Sequence, residues 1–399
     1  MILIISEIAC HVLHILCASL VSLDDGSMKI GVPAEIKNNE FRVGLVPAGV
    51  RELVNHGHEV IVECNAGAGI GHLDEAYVAA GALMVATAAE IFSQAEMVIK
   101  VKEPQAAERK MLRPGQALFT YLHLAPDLAQ TEDLIASGAT CIAYETVTDS
   151  AGRLPLLAPM SEVAGRMSVQ AGATCMEIAH GGRGILLGGV PGVEQGEVLI
   201  LGGGVVGQNA AQIAVGMGAR VTIIDRSLDV LRRLDSLFGN RIQTLYSTHD
   251  AIQEMSMKAD LIIGAVLIPG AAAPKLITAE MVSAMRTGTV LVDVAIDQGG
   301  CFETSKATTH ADPTYIVDGV VHYCVANMPG GVARTSAAAL NNATLPYVLQ
   351  LADKGIKAAL LSNLHLLQGL NVCAGKITNQ YVGEAHGMPF TPAAEALAG

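Results

Sequence analysis

The chain has 399 residues, of which 51% are hydrophobic, and a formal net charge of −13. A chain of this length can bury large cores in two or three domains. Charged residues make up only 16% of it, and no Lys/Arg cluster is interleaved with aromatic residues, so no nucleic-acid partner is expected. The eight cysteines are dispersed without a C-x-x-C pair, which predicts reduced, buried cysteines and no metal site.

Residues 1–27 differ in composition from the rest of the chain. This segment is apolar, but Glu7, His11 and His14 interrupt it, and no Lys or Arg precedes the apolar stretch. It therefore makes a poor signal peptide and a poor membrane-spanning helix, and no membrane partner is expected. From Met28 the sequence KIGVPAEIK is typical of the first strand of a cytosolic protein. We therefore expect Met28 to be the native start and residues 1–27 to be an extension.

The segment that follows alternates apolar strands with helices. Strands are predicted at 29–33, 59–63, 97–101, 117–121 and 140–144, with helices near 47–56 and 74–80. Such alternation with short connections favours a parallel, doubly wound α/β sheet. A long helix is predicted to open between residues 155 and 165 and to end at 176, before a glycine-rich loop at 181–196.

Residues 197–225 carry the most specific pattern in the chain. A short apolar strand leads into Gly202-x-Gly204-x-x-Gly207, and a helix is predicted over 206–217. In this pattern Gly202 permits a tight turn, Gly204 lets a pyrophosphate approach the backbone, and Gly207 lets the helix pack on the strand. Amide groups at the helix N-terminus would bind the phosphate oxygens. A glycine-rich turn without a ligand is the alternative.

An acid closes this unit at the position that a dinucleotide requires. Asp225 follows a second strand, predicted at 220–224, about 20 residues after the glycines, where it can accept a hydrogen bond from a ribose 2′-hydroxyl. It would repel a 2′-phosphate, so the predicted cofactor is NAD. The adjacent Arg226 leaves NADP as the alternative.

The rest of the chain continues the α/β pattern. Strands are predicted at 259–264 and 289–294, and the tail over 334–367 is predicted to be helical with a kink or break at Pro346. Two such regions favour two doubly wound, Rossmann-like α/β domains with mostly parallel sheets, linked by long helices.

Three ionisable residues follow apolar strands and define a candidate site. Lys102 follows MVIKV, His123 follows ALFTY, and Asp297 follows TVLVDVA. Ligands of open α/β sheets bind beyond the carboxyl ends of the strands. Each residue alone has an ordinary structural interpretation, as an exposed ion pair, a core histidine or a cap. Their combination on a dinucleotide-binding fold favours a functional role.

Several longer segments are similar to those of one enzyme family. They are GVPAEIKNNEFRVGLVPAGV, MVIKVKEPQ, LFTYLHLAPD, LPLLAPMSEVAGRMSVQAGA, GAVLIPGAAAPKLIT, VDVAIDQGGCFETS and HYCVANMPGGVARTS. From residue 28 onward the chain resembles bacterial L-alanine dehydrogenase along nearly its whole length. The resemblance implies a substrate domain from residues 28–155 and 334–399 and an NAD-binding domain from 156–333. It also implies NAD-dependent interconversion of L-alanine with pyruvate and ammonium in a cytoplasmic homohexamer.

The resemblance also assigns roles to single residues. By motif position, it places the residue that binds the substrate carboxylate at Arg42, the essential lysine at Lys102, and the catalytic pair at His123 and Asp297. Arg42 can hold a carboxylate in a bidentate fork, and Lys102 supplies a point charge. His123 can protonate a carbonyl oxygen, and Asp297 can orient or activate a water. The residues assigned to the NAD site are Ser161, Gly202, Gly204, Val205, Val206, Gly207, Asp225, Ser247, Val266, Leu267, Val325, Asn327 and Met328.

Two other functions compete with this interpretation. The NAD-binding component of a proton-translocating transhydrogenase shares the LIPG and APKLIT segments, but that family lacks the histidine of YLHLA and has glutamine at the position of Asp297. A catalytically silent Rossmann scaffold would be expected to have lost Arg42 or Lys102, and both are present. The resemblance therefore favours the amino-acid dehydrogenase.

Overall fold

The structure is a computed structural model that describes residues 26–266 and 273–398. Residues 1–25 of the predicted extension, and Leu267 of the predicted NAD site, lie outside these ranges. Two sheets of mostly parallel strands with packed helices confirm the predicted fold class of two Rossmann-like α/β units. In the part of the chain described, no helix is both long and apolar enough to cross a membrane.

The strands, numbered in chain order, are β1 (Lys29–Val32), β2 (Glu59–Glu63), β3 (Leu83–Val85), β4 (Met97–Ile99), β5 (Ala117–Thr120), β6 (Thr140–Ala143), β7 (Glu197–Leu201), β8 (Arg220–Asp225), β9 (Ile242–Tyr246), β10 (Leu261–Gly264), β11 (Val290–Asp293), β12 (Thr314–Val317), β13 (Val320–Tyr323), β14 (Leu370–Cys373) and β15 (Lys376–Ile377). The helices are α1 (Pro47–Asn55), α2 (Asp74–Val78), α3 (Ala88–Gln94), α4 (Ala106–Arg109), α5 (Leu128–Ser137), α6 (Ala158–Cys175), α7 (Val205–Gly216), α8 (Leu228–Phe238), α9 (His249–Lys258), α10 (Ala279–Ala284), α11 (Ala333–Lys354), α12 (Ile356–Ser362), α13 (Leu364–Leu367), α14 (Gln380–His386) and α15 (Ala393–Ala398).

Both sheets reverse their strand order at one internal point. The first sheet has the order β15-β14-β6-β5-β4-β1-β2-β3, and the second has the order β12-β13-β11-β10-β7-β8-β9. The exceptions to parallel pairing are β14 with β6, β15 with β14, and β12 with β13. The order reverses between β4 and β1 and between β10 and β7, so the loops after these strands open a crevice where ligands of such folds bind.

Apolar side chains cover both faces of each sheet. In β5, Phe119 packs into one core cluster while its neighbour Leu118 packs into the cluster on the opposite face. In β7, Ile200 and Leu199 divide between two clusters in the same way. Because successive side chains of a strand point to opposite faces, such continuous apolar strands require cover on both sides. This burial explains why the strands read as unbroken apolar runs in the sequence.

Two long helices, α6 and α11, pack against each other and connect the two sheets. Of the kink or break expected at Pro346, the break is absent, because α11 runs without interruption from Ala333 to Lys354. Thr344 and Val348, on either side of the proline, are both buried. Burial of the helix face therefore outweighs the loss of one backbone hydrogen bond at the proline.

The start of α7 depends on a close contact that only glycine permits. A Cβ added to Gly207 would lie 1.8 Å from the carbonyl oxygen of Gly202 and 3.2 Å from Ile200 Cγ2. The helix begins at Val205, one residue before the predicted start. Gly216, in the last turn of the same helix, has no atom within 4 Å of the corresponding Cβ position.

We expect Gly207→Ala to lower the free energy of unfolding by roughly 1–3 kcal/mol, because the added methyl group forces α7 away from the glycine turn. Gly216→Ala is the matched control in the same helix. It should leave stability unchanged or raise it by up to about 1 kcal/mol, because alanine favours the helix and meets open space. Denaturant unfolding of the two variants measures both values, and equal stabilities would contradict the close contact.

Candidate active site

The glycine turn after β7 has the geometry of a phosphate-binding loop. Gly202 has φ +99°, in the left-handed region that favours glycine. Gly204 is the N-cap of α7, and a Cβ there would meet nothing within 4 Å, so its backbone faces open space. The first amides of α7, from Val205 to Gly207, have no acceptor within the helix and are free to bind an anion.

Asp225, the last residue of β8, faces this turn. Its Oδ2 accepts a hydrogen bond from the Gly203 amide at 2.7 Å, and its Oδ1 accepts one from the Ser227 amide at 2.8 Å. Each carboxylate oxygen retains a lone pair for a ribose hydroxyl. The Ser247 amide donates to the carbonyl oxygen of Asp225 at 3.0 Å, so Ser247 lies at the same end of the crevice. Arg226 is exposed.

Arg233 is a residue of this region that the sequence did not indicate. Its Nη2 donates to the carbonyl oxygen of Gly203 at 3.0 Å, which brings a cation to the glycine turn. No motif marks this arginine, because its position depends on how α8 packs against the turn.

The remaining residues assigned to the cofactor occupy different environments. Val266 lies against the glycine turn, with its Cγ2 at 3.1 Å from a Cβ built on Gly202. Val325 and Met328 are buried in the core of the second unit rather than exposed in the crevice. Helix α6 begins at Ala158, within the predicted range, so Ser161 is its fourth residue. Ser161 is half-buried.

Arg42, in the loop after β1, is buried and paired, so it is not a solvated surface charge. It is 2% exposed, and its Nε and Nη2 donate to Glu40 Oε1 and Oε2 at 2.7 and 2.6 Å. Burial opposes the charged form of Glu40, but the hydrogen bonds from Arg42 hold the pKa of this carboxyl below its usual value. Such a bidentate pair orients the guanidinium and leaves its Nη1 end for other partners.

Asn327 connects this ion pair to the second sheet. Its Oδ1 accepts a hydrogen bond from Arg42 Nη2 at 2.9 Å, and its Nδ2 donates to Glu40 Oε2 at 3.1 Å. Asn327 itself has φ +59°, in the left-handed region. Its backbone amide donates to Asp297 Oδ1 at 3.4 Å. One asparagine therefore contacts Arg42 and Asp297, two residues that the sequence separates widely.

Lys102 lies beside the same group of charges. Burial, followed by the positive charge of Arg42, lowers the pKa of Lys102, while Glu103 and Asp297 partly oppose this effect. Two cations held close together favour the binding of an anion, since an anion relieves their repulsion. The structure thus brings together Arg42, Lys102 and Asp297.

His123, in the loop after β5, has a strained backbone conformation. It has φ +50°, and its imidazole is 48% exposed. Glu145 Oε1 accepts a hydrogen bond from the His123 amide at 2.6 Å, and the imidazole stacks on Tyr121 with the ring centroids 5.8 Å apart. Left-handed backbone at a non-glycine residue is often concentrated at functional sites.

Asp297 is carried by a short 3₁₀ turn, Val294–Gln298, that follows β11. The buried Asp293 fixes this turn, because its carboxylate accepts hydrogen bonds from the amides of Ala295 at 3.1 Å and Cys301 at 2.9 Å. Within the described ranges, no group of three or more His, Cys, Asp or Glu residues is placed to hold a metal ion. Arg42, Lys102 and Asp297 therefore supply two cations and a carboxylate at this place.

Comparisons with known proteins identify relatives over nearly the whole chain. The family model "Alanine dehydrogenase/PNT, N-terminal domain" matches residues 31–164, and "Alanine dehydrogenase/PNT, C-terminal domain" matches residues 168–380. An alanine dehydrogenase of Halomonas elongata is 60% identical over 370 residues, which cover 93% of this chain and 100% of the relative. One of Methanococcus maripaludis is 57% identical over 371 residues, with the same shares covered, 93% and 100%.

Solved structures agree with these relatives. An L-alanine dehydrogenase structure has a TM-score of 0.88 and 54% identity, and the match covers 90% of this chain and 99% of that chain. A transhydrogenase from Sinorhizobium meliloti has a TM-score of 0.78 and 24% identity, covering 88% and 99% of the two chains. At that identity the second match shows a shared fold alone.

The buried Arg42–Glu40 pair should make the free energy of unfolding depend on pH. We expect Glu40→Gln to lower the free energy of unfolding near neutral pH by about 3–5 kcal/mol, because it leaves the buried Arg42 charge without a counter-charge. Since the folded-state pKa of Glu40 is lowered from 4.5, the contribution of Glu40 is present above that pH and is lost as the pH falls through the folded-state pKa. The difference between parent and variant should therefore shrink in acid.

Denaturant unfolding at about pH 7 and about pH 4 measures this difference. Glu254→Gln is the control, since Glu254 pairs with Lys258 on an exposed helix face and should change little at either pH. A destabilisation by Glu40→Gln that is the same at both pH values would show that the lost charge is not its cause.

Proposed function

Because the chain belongs to the alanine dehydrogenase/PNT family, we propose that it catalyses the NAD-dependent oxidative deamination of L-alanine to pyruvate and ammonium, and the reverse reductive amination. The observation that carries this proposal is that Asn327 contacts both Arg42 and Asp297 at the junction of the two sheets, where the charges of both residues also act on Lys102. Substrates that share a carboxylate on the reacting carbon fit this combination of two cations and one proton carrier.

The NAD-binding component of a transhydrogenase is the alternative function. Such a component passes a hydride to another protein and needs no group that handles the protons of an amino acid. His123 and Asp297, the two residues by which we distinguish the families, are both present in the chain. The transhydrogenase match is also far more distant, at 24% identity against 60% for the alanine dehydrogenase of Halomonas elongata. Both facts favour the dehydrogenase.

The residues of the second unit fit NAD. The open backbone at Gly204 and the free amides of α7 suit a pyrophosphate, and Asp225 suits a ribose with a free 2′-hydroxyl. Ser247 would lie at the adenine end, while Val266 and Leu267 would border the dinucleotide together with Asn327. When bound, NAD accepts the hydride in deamination and supplies it in amination.

The cations would hold the substrate. Glu40 occupies the Nε and Nη2 edge of Arg42, so a substrate carboxylate would approach the Nη1 end, which now contacts Met160 Sδ at 3.0 Å. Lys102 would add a point charge toward the carboxylate or the carbonyl oxygen. Two anchors on one small molecule orient its reacting carbon.

His123 and Asp297 would transfer the protons. We assign His123 to the substrate carbonyl oxygen, because its imidazole is exposed and an imidazole can donate a proton to an oxygen. We assign Asp297 to the water or ammonia, because its carboxylate lies beside Lys102 and Asn327. Reductive amination removes one oxygen and adds one nitrogen, so two proton carriers are more effective than one.

We also propose a domain organisation, a cellular location and an oligomeric state. Strands from residues 29–143 and 370–377 share the first sheet, which supports a substrate domain from 28–155 and 334–399 and an NAD-binding domain from 156–333. The described cysteines are free and mostly buried, which supports a reducing, cytoplasmic location. The homohexamer rests on the family resemblance.

The activity is tested by following NADH oxidation by absorbance with pyruvate and ammonium, and then with each of them omitted. We expect turnover only with both substrates, and we expect NADPH to be a poorer donor because Asp225 repels a 2′-phosphate. Folded protein whose NADH oxidation does not depend on ammonium would reject the proposal. Turnover with pyruvate alone would indicate a hydroxy-acid dehydrogenase instead.

We expect His123→Ala and Asp297→Asn each to lower kcat by about 10²–10⁴-fold while NADH still binds, since general acid–base groups contribute that much. The double variant should lose far less than the sum of the two, because groups that act as a unit are not additive. His180→Ala is the control, because His180 is a comparably exposed histidine, at 51%, in a separate turn. Retained turnover in either single variant would remove that residue from the mechanism.

A further inference from the structure

A buried charge cluster lies directly behind Lys102, and the mechanism above does not use it. Its members are Glu35 in the loop after β1, Lys100 at the end of β4, and Glu108 in α4. Their side chains are 2%, 0% and 1% exposed. Lys100 Nζ lies 3.0 Å from Glu35 Oε2 and 2.8 Å from Glu108 Oε1. Burying three ionised groups is costly, so the arrangement calls for a function beyond packing.

Lys102 needs such support because β4 ends before it. The strand stops at Ile99, and Val101 and Lys102 lie in a bend. Their two amides both donate to Glu35 Oε1, from Val101 at 2.6 Å and from Lys102 at 3.3 Å. One carboxylate oxygen therefore accepts both amides of the bend, while the other oxygen is fixed by Lys100.

We propose that Glu35 is a positioning residue for the active site, because it fixes the bend that carries Lys102 and ties that bend to the loop that carries Arg42. Glu35 and Arg42 belong to the same loop, between β1 and α1. Lys100 and Glu108 fix Glu35 in turn. This inference rests on the proposed function, in which Lys102 and Arg42 hold the substrate. It assigns no contact with substrate to Glu35 itself.

Glu108 provides a matched control for Glu35. Each carboxylate places one oxygen at Lys100, Glu35 through a hydrogen bond and Glu108 through an ion-pair contact. The other oxygen accepts backbone amides, two for Glu35 and one for Glu108. For Glu108 that amide belongs to Gln105, at 2.7 Å, which lies beyond the Lys102 bend. A change to glutamine at either position sets an amide NH₂ group against a donor, so both variants lose the same kind of interaction. Glu35→Gln releases the amides of Val101 and Lys102, whereas Glu108→Gln releases the amide of Gln105.

The first experiment compares Glu35→Gln with Glu108→Gln in reductive amination. We expect Glu35→Gln to lower kcat/KM for pyruvate by roughly tenfold or more, because small misplacements of an anchor are costly. Glu108→Gln should stay within about threefold of the parent, and NADH affinity should stay within about twofold in both. Equal losses in the two variants would show that the cluster only supports the fold and would overturn the proposal.

Aspartate variants keep the experiment decisive if a glutamine variant fails to fold. Glu35→Asp and Glu108→Asp retain the charge but shorten the reach to the backbone amide. Only Glu35→Asp should lower kcat/KM for pyruvate, again by roughly tenfold. An unchanged kcat/KM in Glu35→Asp, or an equal loss in Glu108→Asp, would overturn the proposal.

A second measurement does not depend on turnover. The acetylation rate of Lys102 by acetic anhydride, read by peptide mass spectrometry and normalised to the exposed Lys258 of the second unit, reports how firmly the bend is held. We expect Lys102 to react more than about twofold faster in Glu35→Asp and at the parental rate in Glu108→Asp. Equal rates in all three proteins would overturn the positioning role. A parent that lacks ammonium-dependent turnover would reject the proposed function separately.

Discussion

A guanidinium that is buried at the junction of two sheets is the constraint on which the site depends. Arg42 cannot stay charged in that position without a counter-charge, and Glu40 supplies one through two hydrogen bonds at 2.7 and 2.6 Å. The same pair accepts and donates hydrogen bonds with Asn327 from the second unit. The ion pair that balances the Arg42 charge in the first unit therefore also holds Asn327 of the second unit close.

Lys102 adds a second cation on the substrate side, beside the Arg42–Glu40 pair. Lys102 lies near Arg42, and burial together with this neighbour lowers its pKa. Asp297 offsets part of that charge from the opposite unit. A small carboxylate entering between the units would relieve the repulsion between the two cations, which gives a physical reason for binding an amino or keto acid at this place.

The two switch points explain why the functional residues converge. The loops after β1 and β4 carry Arg42 and Lys102, while the loop after β7 carries the glycine turn. Parallel strands end at the same edge of a sheet, so residues far apart in the chain become neighbours there. The strand-end rule therefore predicted Lys102 and Asp297 as neighbours without any knowledge of distances. It could not predict Glu40, whose role depends on which side chain reaches Arg42, nor Arg233, which is brought to the turn by helix packing.

The sequence by itself determined the features that depend on local backbone chemistry. The glycine turn, the acid at Asp225 and the apolar strands follow from positive φ, close approach and continuous burial, which neighbouring residues impose. The tertiary structure alone decided the pairing of charges. Lys100 and Glu35 are separated by 65 positions, and Arg42 and Asn327 by 285. It also decided that α11 continues through Pro346. The free energy gained by burying one face of the helix exceeds the tendency of proline to break a helix, and only the second of these is visible in the sequence.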